Sequence, residues 1–123
     1  MSSSLAAGSC VPCRRGAPAL SDADVAARLQ ALGGAWQLAP FADSGVPVLQ
    51  RSVRFRNFRT ALAFTNAVGA MAEAQKHHPA LLTEWGSVRV AWWTHAIGGL
   101  HDNDFICAAK TDELLAAAEG VKE

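Results

Sequence analysis

The chain has no run of about 18 apolar residues, which excludes a helix long and greasy enough to span a bilayer. It also lacks an excess of charge of either sign, since eleven Lys plus Arg balance eleven Asp plus Glu and the formal net charge is 0 at pH 7. A neutral chain has no general attraction to nucleic acid or to an anionic membrane. Neutrality also does little to oppose self-association. Cysteine is scarce and odd in number, three residues in all, which fits a reducing compartment better than a disulfide framework. The residues before Cys10 carry no positive region and too short an apolar stretch for an export signal, so the expected location is cytoplasmic.

Several catalytic and binding signatures are missing as well. No glycine-rich phosphate loop follows a strand, and Gly98-Gly99 stands alone. No nucleophile elbow of the form GxSxG occurs. Cys10-Val11-Pro12-Cys13 has a ligand-like spacing, but no second CxxC or HxxxH pair completes four zinc ligands. It lies in a Ser/Gly/Pro/Arg-rich stretch rather than between a strand and a helix, where a thioredoxin-like motif would sit. No metal is expected, and both thiols are expected to be exposed on a mobile tail.

What remains is a chain of 123 residues and 13.0 kDa, 50% hydrophobic and 18% charged. That is one domain's length, with enough apolar content for a real core. Residues 1–19 read as a flexible leader and residues 20–119 as a single domain. Ser21 is a candidate N-cap with Asp22 and Asp24 in the first turn. Val25, Leu29 and Leu32 continue the helical spacing to Gly33-Gly34. Trp36 to Leu38 forms a short strand candidate, and a Pro40–Pro47 loop follows. From Val48 the pattern alternates, with Leu49, Val53 and Phe55 on one face and Gln50, Ser52, Arg54 and Arg56 on the other. Asn57 caps a long helix running to about Gln75, for which Phe58, Leu62, Thr65, Val68 and Ala72 are the expected inner face. Pro79 ends it. Strands over about 80–85 and 88–95, joined at Gly86-Ser87, precede a last helix over about 101–119, with Cys107 as a small core residue. The order α-β-β-α-β-β-α implies an α+β fold, three helices on one face of a four-stranded antiparallel sheet. The other sheet face is left as a place for oligomerisation.

All four histidines fall between positions 77 and 101. Imidazole titrates near neutrality, so histidines beside carboxylates suit proton transfer. Glu73 lies four residues before His77, within reach on one helix face. Asp104 falls in the first turn of the last helix. The same residues also admit a plain reading. His77-His78-Pro79 is compatible with an ordinary junction, His95 with a satisfied strand end, and Asp104 with a carboxylate placed for the helix dipole. Trp85, Trp92 and Trp93 fit core or subunit interface better than a base-stacking platform.

The stretch from Glu73 through Lys76, His77 and His78 to Pro79, followed by Trp85, Thr94-His95 and Asp104, resembles the signature of the pterin-4a-carbinolamine dehydratases. The aromatic comes six residues after the proline, the histidine ten after that, and the aspartate nine further on. The likeness runs from about Leu20 to Leu115 and includes Gly34-Ala35-Trp36, Phe58 to Asn66, and Gly99-Leu100. It is most similar to bacterial members that accompany phenylalanine hydroxylase, whose short Cys-containing leader resembles residues 9–15.

The resemblance implies the fold just described, assembled as a homodimer or homotetramer. It implies a hydro-lyase acting on 4a-hydroxytetrahydropterin in recycling of an aromatic amino acid hydroxylase cofactor, with a functional link to phenylalanine hydroxylase. Direct contact with nucleic acid or membrane is not expected. By similarity His77 and His95 form an acid/base pair and His78 orients the pterin. Asp104 and Glu73 hold histidines or contact substrate, and Lys76 and Thr94 meet the ring edge. No cofactor is implied. Lys76 stands where some relatives place Asp or Asn, and Asn103 where animal members have arginine. The family also includes a coactivator, so the alternative is a non-enzymatic partner-binding regulator on the same fold.

Overall fold

The computed structural model describes residues 5–11, 19–40, 47–94, 97 and 99–122. Helix α1 (Asp22–Leu32) starts at Ser21, whose side chain accepts from the Asp24 N–H at 3.1 Å. It stops at Gly33, where φ is +103°. Strands β1 (Gln37–Pro40) and β2 (Pro47–Arg54) follow, then α2 (Phe58–Gln75), β3 (Ala80–Glu84), β4 (Ser87–Trp92) and α3 (Asp102–Ala116). The predicted α-β-β-α-β-β-α order is the observed one. The sheet runs β1-β2-β4-β3, with every neighbouring pair antiparallel.

Register decides which face is inside. Leu49 pairs with Trp92, Arg51 with Val90 and Val53 with Val88, while Leu81 and Thr83 continue the same rows into β3. This face meets α2 through Thr65 Oγ1 to Thr83 Oγ1 at 2.6 Å. It meets α3 through Trp92 Nε1, which donates to Thr111 Oγ1 at 3.2 Å. Leu49, Val53, Phe55, Val88, Val90 and Trp92 pack there against Ala61, Phe64, Val68, Phe105, Cys107 and Ala108. The opposite face carries Gln50, Ser52, Arg54, Leu82, Glu84 and Arg89, which alternation predicts for a half-solvated sheet.

Three expectations are corrected. The inner face of α2 is Thr60, Ala61, Phe64, Val68 and Ala72, whereas Phe58 and Leu62 are 45% and 41% exposed. An alanine-rich stripe lets the helix lie close to the sheet, and that rotates the two larger residues outward. The hairpin turns at Trp85-Gly86, because Glu84 already pairs with Ser87, and Trp85 is left 69% exposed. Strand β4 stops at Trp92 rather than reaching His95.

Residues 5–11 also differ from a loose leader. Ala6 is buried in the core cluster and its carbonyl accepts from Lys110 Nζ at 2.7 Å. Asn103 clasps the backbone of Val11, accepting from its N–H at 3.0 Å and donating to its carbonyl at 2.7 Å. Cys10 is therefore half-buried rather than an exposed thiol. Cys13 lies outside the described residues.

Candidate active site

The site grows from the place where α2 ends and α3 begins. Lys76 closes α2 in the left-handed conformation, φ 56° and ψ 36°, with its N–H on the Ala72 and Glu73 carbonyls. A left-handed cap reverses the chain direction in one residue, and His77 then turns back beneath the sheet end. At the start of α3, His101 is the N-cap and its Nδ1 accepts from the Asn103 N–H at 3.1 Å. Asp104 returns the favour in a capping box, accepting the His101 N–H at 3.0 Å.

Asp104 is the hub. It is fully buried, and three donors surround it. Oδ2 accepts from Thr94 Oγ1 at 2.8 Å and from the His101 N–H, while Oδ1 lies 2.6 Å from His77 Nε2. A buried carboxylate is tolerated when its lone pairs are met in this way. The His77 ring stacks on Trp92, with centroids 5.8 Å apart and planes inclined by 8°, and its side chain is only 11% exposed. Burial pulls the His77 pKa down, but the hydrogen bond and charge of Asp104, aided by Cys10, outweigh it, and the net shift is upward. With Nε2 engaged on a carboxylate, such an imidazole exchanges protons through Nδ1.

The second histidine is placed differently. His78 Nε2 pairs with Glu73 Oε2, and both side chains are largely exposed. Of the residues expected in the site, His77, Asp104 and Thr94 form one hydrogen-bonded unit. Glu73 and His78 form a separate surface pair beside it, and Lys76 is exposed between them in the chain. His95 lies outside the described residues. Two contributors escaped the sequence reading. Trp92 is the core residue expected, fully buried, and its second role as the platform on which the His77 ring stacks is not marked by its spacing. Cys10, whose thiol lies against Cys107 on α3, adds to the upward shift of His77, and no local sequence signal marks its placement there.

A separate cleft of about 410 Å³ is lined by Arg59, Thr60, Phe64, Ala67, Leu114 and Ala118, among others. It opens on the N-terminal half of α2, away from His77, and shares no residue with the Asp104 unit. Among the described residues, no group of three or more His, Cys, Asp or Glu side chains could hold a metal ion, and no helix is long and apolar enough to cross a membrane.

Comparison with known proteins addresses the family and the fold. Residues 18–114 match the family model described as pterin 4 alpha carbinolamine dehydratase. A Gloeobacter violaceus protein named "Putative pterin-4-alpha-carbinolamine dehydratase 1" is 53% identical over 112 residues, 91% of this chain and 94% of its own. A Microcystis aeruginosa protein named "Putative pterin-4-alpha-carbinolamine dehydratase" is 51% identical over 110 residues, 89% of this chain and 92% of its own. The crystal structure of a Brucella melitensis protein described as "transcriptional coactivator/pterin dehydratase" superposes with a TM-score of 0.69 at 27% identity, over 79% of this chain and 98% of that one. A match to the family model across four-fifths of the length, with half of all residues shared with its relatives, places this chain in the pterin-4a-carbinolamine dehydratase family of hydro-lyases.

Proposed function

We propose that this protein dehydrates 4a-hydroxytetrahydrobiopterin, or its bacterial pterin counterpart, to the quinonoid dihydropterin, so that the cofactor spent by an aromatic amino acid hydroxylase can be reduced again. The observation that carries the reading is the His77–Asp104 pair, an imidazole held against a fully buried carboxylate in a chain of this family. The elimination removes a hydroxyl from C4a and a proton from N5 and moves no electrons to or from an external carrier. One acid and one base suffice. We assign the acid to His77, because a raised pKa keeps its ring protonated nearer neutral pH. It delivers a proton from Nδ1 to the departing hydroxyl. His95 is the base that takes the N5 proton. Thr94 and Trp92 position His77, the first through Asp104 and the second by stacking. His78, steadied by Glu73, orients the pterin, and Lys76 meets its edge.

The same reading assigns a homodimer or homotetramer, a cytoplasmic location and a functional link to phenylalanine hydroxylase. A binding role without catalysis is the second reading, supported by the coactivator description carried by the Brucella structure. Stopped-flow decay of freshly generated 4a-hydroxytetrahydropterin separates the two. The wild type is expected to accelerate decay, and His77→Ala and His95→Ala each to lose about 10²-fold or more of that acceleration. No acceleration by folded wild type gives the site to the binding role. Full activity in both variants discards the acid/base assignment.

A further inference from the structure

The docked segment 5–11 brings Cys10 onto α3, where its Sγ stands 3.3 Å from Cys107 Sγ across 97 residues of chain. The approach is built rather than incidental. The Cys10 N–H donates to Gln75 Oε1 at 2.9 Å, Asn103 clasps the backbone of Val11, and Lys110 holds the Ala6 carbonyl. Gly8 completes the fit, since a Cβ there would stand 3.3 Å from the Ile106 side chain and 3.2 Å from the Leu5 carbonyl. These contacts fix the backbone on both sides of Cys10, so its thiol has one neighbour to react with inside the described fold. Neither sulfur takes part in the bond changes of the dehydration.

We propose that Cys10 and Cys107 form an oxidisable dithiol, which a peroxide closes to an intramolecular disulfide that pins the N-terminal segment to α3 one helical turn from Asp104. The two sulfurs need to close by only about 1.3 Å to reach bonding distance. The roles of the two thiols differ. Cys10 is half-buried and Cys107 fully buried, so the oxidant meets Cys10 first. The hydrogen bond from Cys107 lowers the Cys10 pKa against the opposing effects of burial and of the Asp104 charge, with His77 and Lys110 also lowering it. Cys107 moves the other way, its thiol form held by that hydrogen bond and by burial. The thiolate is the nucleophile, and this arrangement places it on the accessible partner.

The Cys10 thiolate attacks a peroxide oxygen. An S–O bond forms, the O–O bond breaks, and water or an alcohol leaves after taking a proton, with a sulfenic acid left on Cys10. The Cys107 sulfur then attacks the Cys10 sulfur. The S–S bond forms, the S–O bond breaks, and the hydroxyl departs as water with the Cys107 proton. Two thiols lose two electrons and the peroxide gains them. A dithiol reductant reverses the reaction by exchange.

The test is independent of the pterin reading. Reduced full-length protein is treated with hydrogen peroxide, unfolded in the presence of an alkylating agent that blocks every free thiol, and digested with trypsin without reductant. Cys10 and Cys13 share the tryptic peptide ending at Arg14, and Cys107 lies on the peptide from Val90 to Lys110. The expected product joins these two peptides at the summed mass less two hydrogens, plus one alkyl group on Cys13. Cys13→Ser is expected to give it at wild-type yield and Cys10→Ser to abolish it. Circular dichroism of Cys10→Ser and Cys107→Ser guards against loss of fold, and the Cys10 variant decides the matter if the buried site does not tolerate serine. Cys10 and Cys107 thiols that both stay alkylatable, a Cys10–Cys13 link, a Cys13–Cys107 link, or a covalent dimer in place of the internal bond would each overturn the proposal.

Discussion

At His77 two opposing influences meet, and the outcome depends on one carboxylate. Burial alone would favour the neutral imidazole, but Asp104 at 2.6 Å turns the shift upward. A histidine whose folded pKa exceeds its unfolded value, about 6.5, adds stability that is fully present below the unfolded value. That stability is lost as pH rises through the folded one. Asp104→Asn retains the shape of the acceptor and removes its charge, so the His77 ring is expected to titrate at lower pH than in the wild type. NMR titration of the ring Cε1 proton reads this directly, and the alkaline limb of turnover should move down with it. An unchanged His77 titration would remove Asp104 from the mechanism.

The elements around the site are set by caps and close approaches. Asn57 starts α2 by accepting the Thr60 N–H at 2.9 Å and the Thr60 hydroxyl at 2.8 Å. That hydroxyl also touches the returning C-terminal segment, in which Arg56 N–H donates to the Gly120 carbonyl and Lys122 N–H to the Arg54 carbonyl. Gly120 has φ +77°, and a Cβ there would stand 2.4 Å from Thr60 Oγ1. Gly120→Ala is therefore expected to cost about 1–3 kcal/mol, from a disfavoured left-handed backbone and from overpacking together. A urea unfolding midpoint indistinguishable from wild type would show that this end of the chain is not held as described. Lys76 shows the converse choice, a lysine in a conformation that glycine adopts more easily, at the junction that aims His77.

At the scale of the whole molecule, a half-buried polar cluster between sheet and helices joins parts far apart in sequence. Asp112 of α3 accepts Trp36 Nε1 at 3.0 Å and Arg51 Nη1 of β2 at 2.8 Å. Burial raises the Asp112 pKa, although Trp36 and Arg51 both oppose the rise. A carboxylate whose folded pKa is raised binds protons more tightly folded than unfolded, so its contribution to stability falls as pH rises through that window. Arg51→Ala takes away the cation, pushes Asp112 further up and leaves a half-buried carboxylate held by Trp36 alone. The expected loss is about 1–2 kcal/mol near pH 7, and less near pH 4, where Asp112 is closer to neutral. Equal losses at the two pH values in chemical denaturation would show that Arg51 acts through packing alone.

Local patterns carried much of this protein. Ser21, Asn57 and Pro79 bracket their helices through capping and steric rules that involve only neighbouring residues, and alternation in β2 sorted Leu49 and Val53 from Gln50 and Ser52 correctly. The spacing of His77, His78, His95 and Asp104 was visible for the same reason, because it is a property of the line of residues. Other features depend on contacts that periodicity does not encode. The rotation of α2 that exposes Phe58 and Leu62 follows from how closely Ala61 and Ala72 approach the sheet. The separation of His77 with Asp104 from His78 with Glu73 follows once the helix has ended at Lys76, since His78 precedes Pro79 and extended backbone turns adjacent side chains to opposite sides. The meeting of Cys10 with Cys107 arises only when the chain closes on itself, because a contact across 97 residues leaves no trace in the spacing of either cysteine.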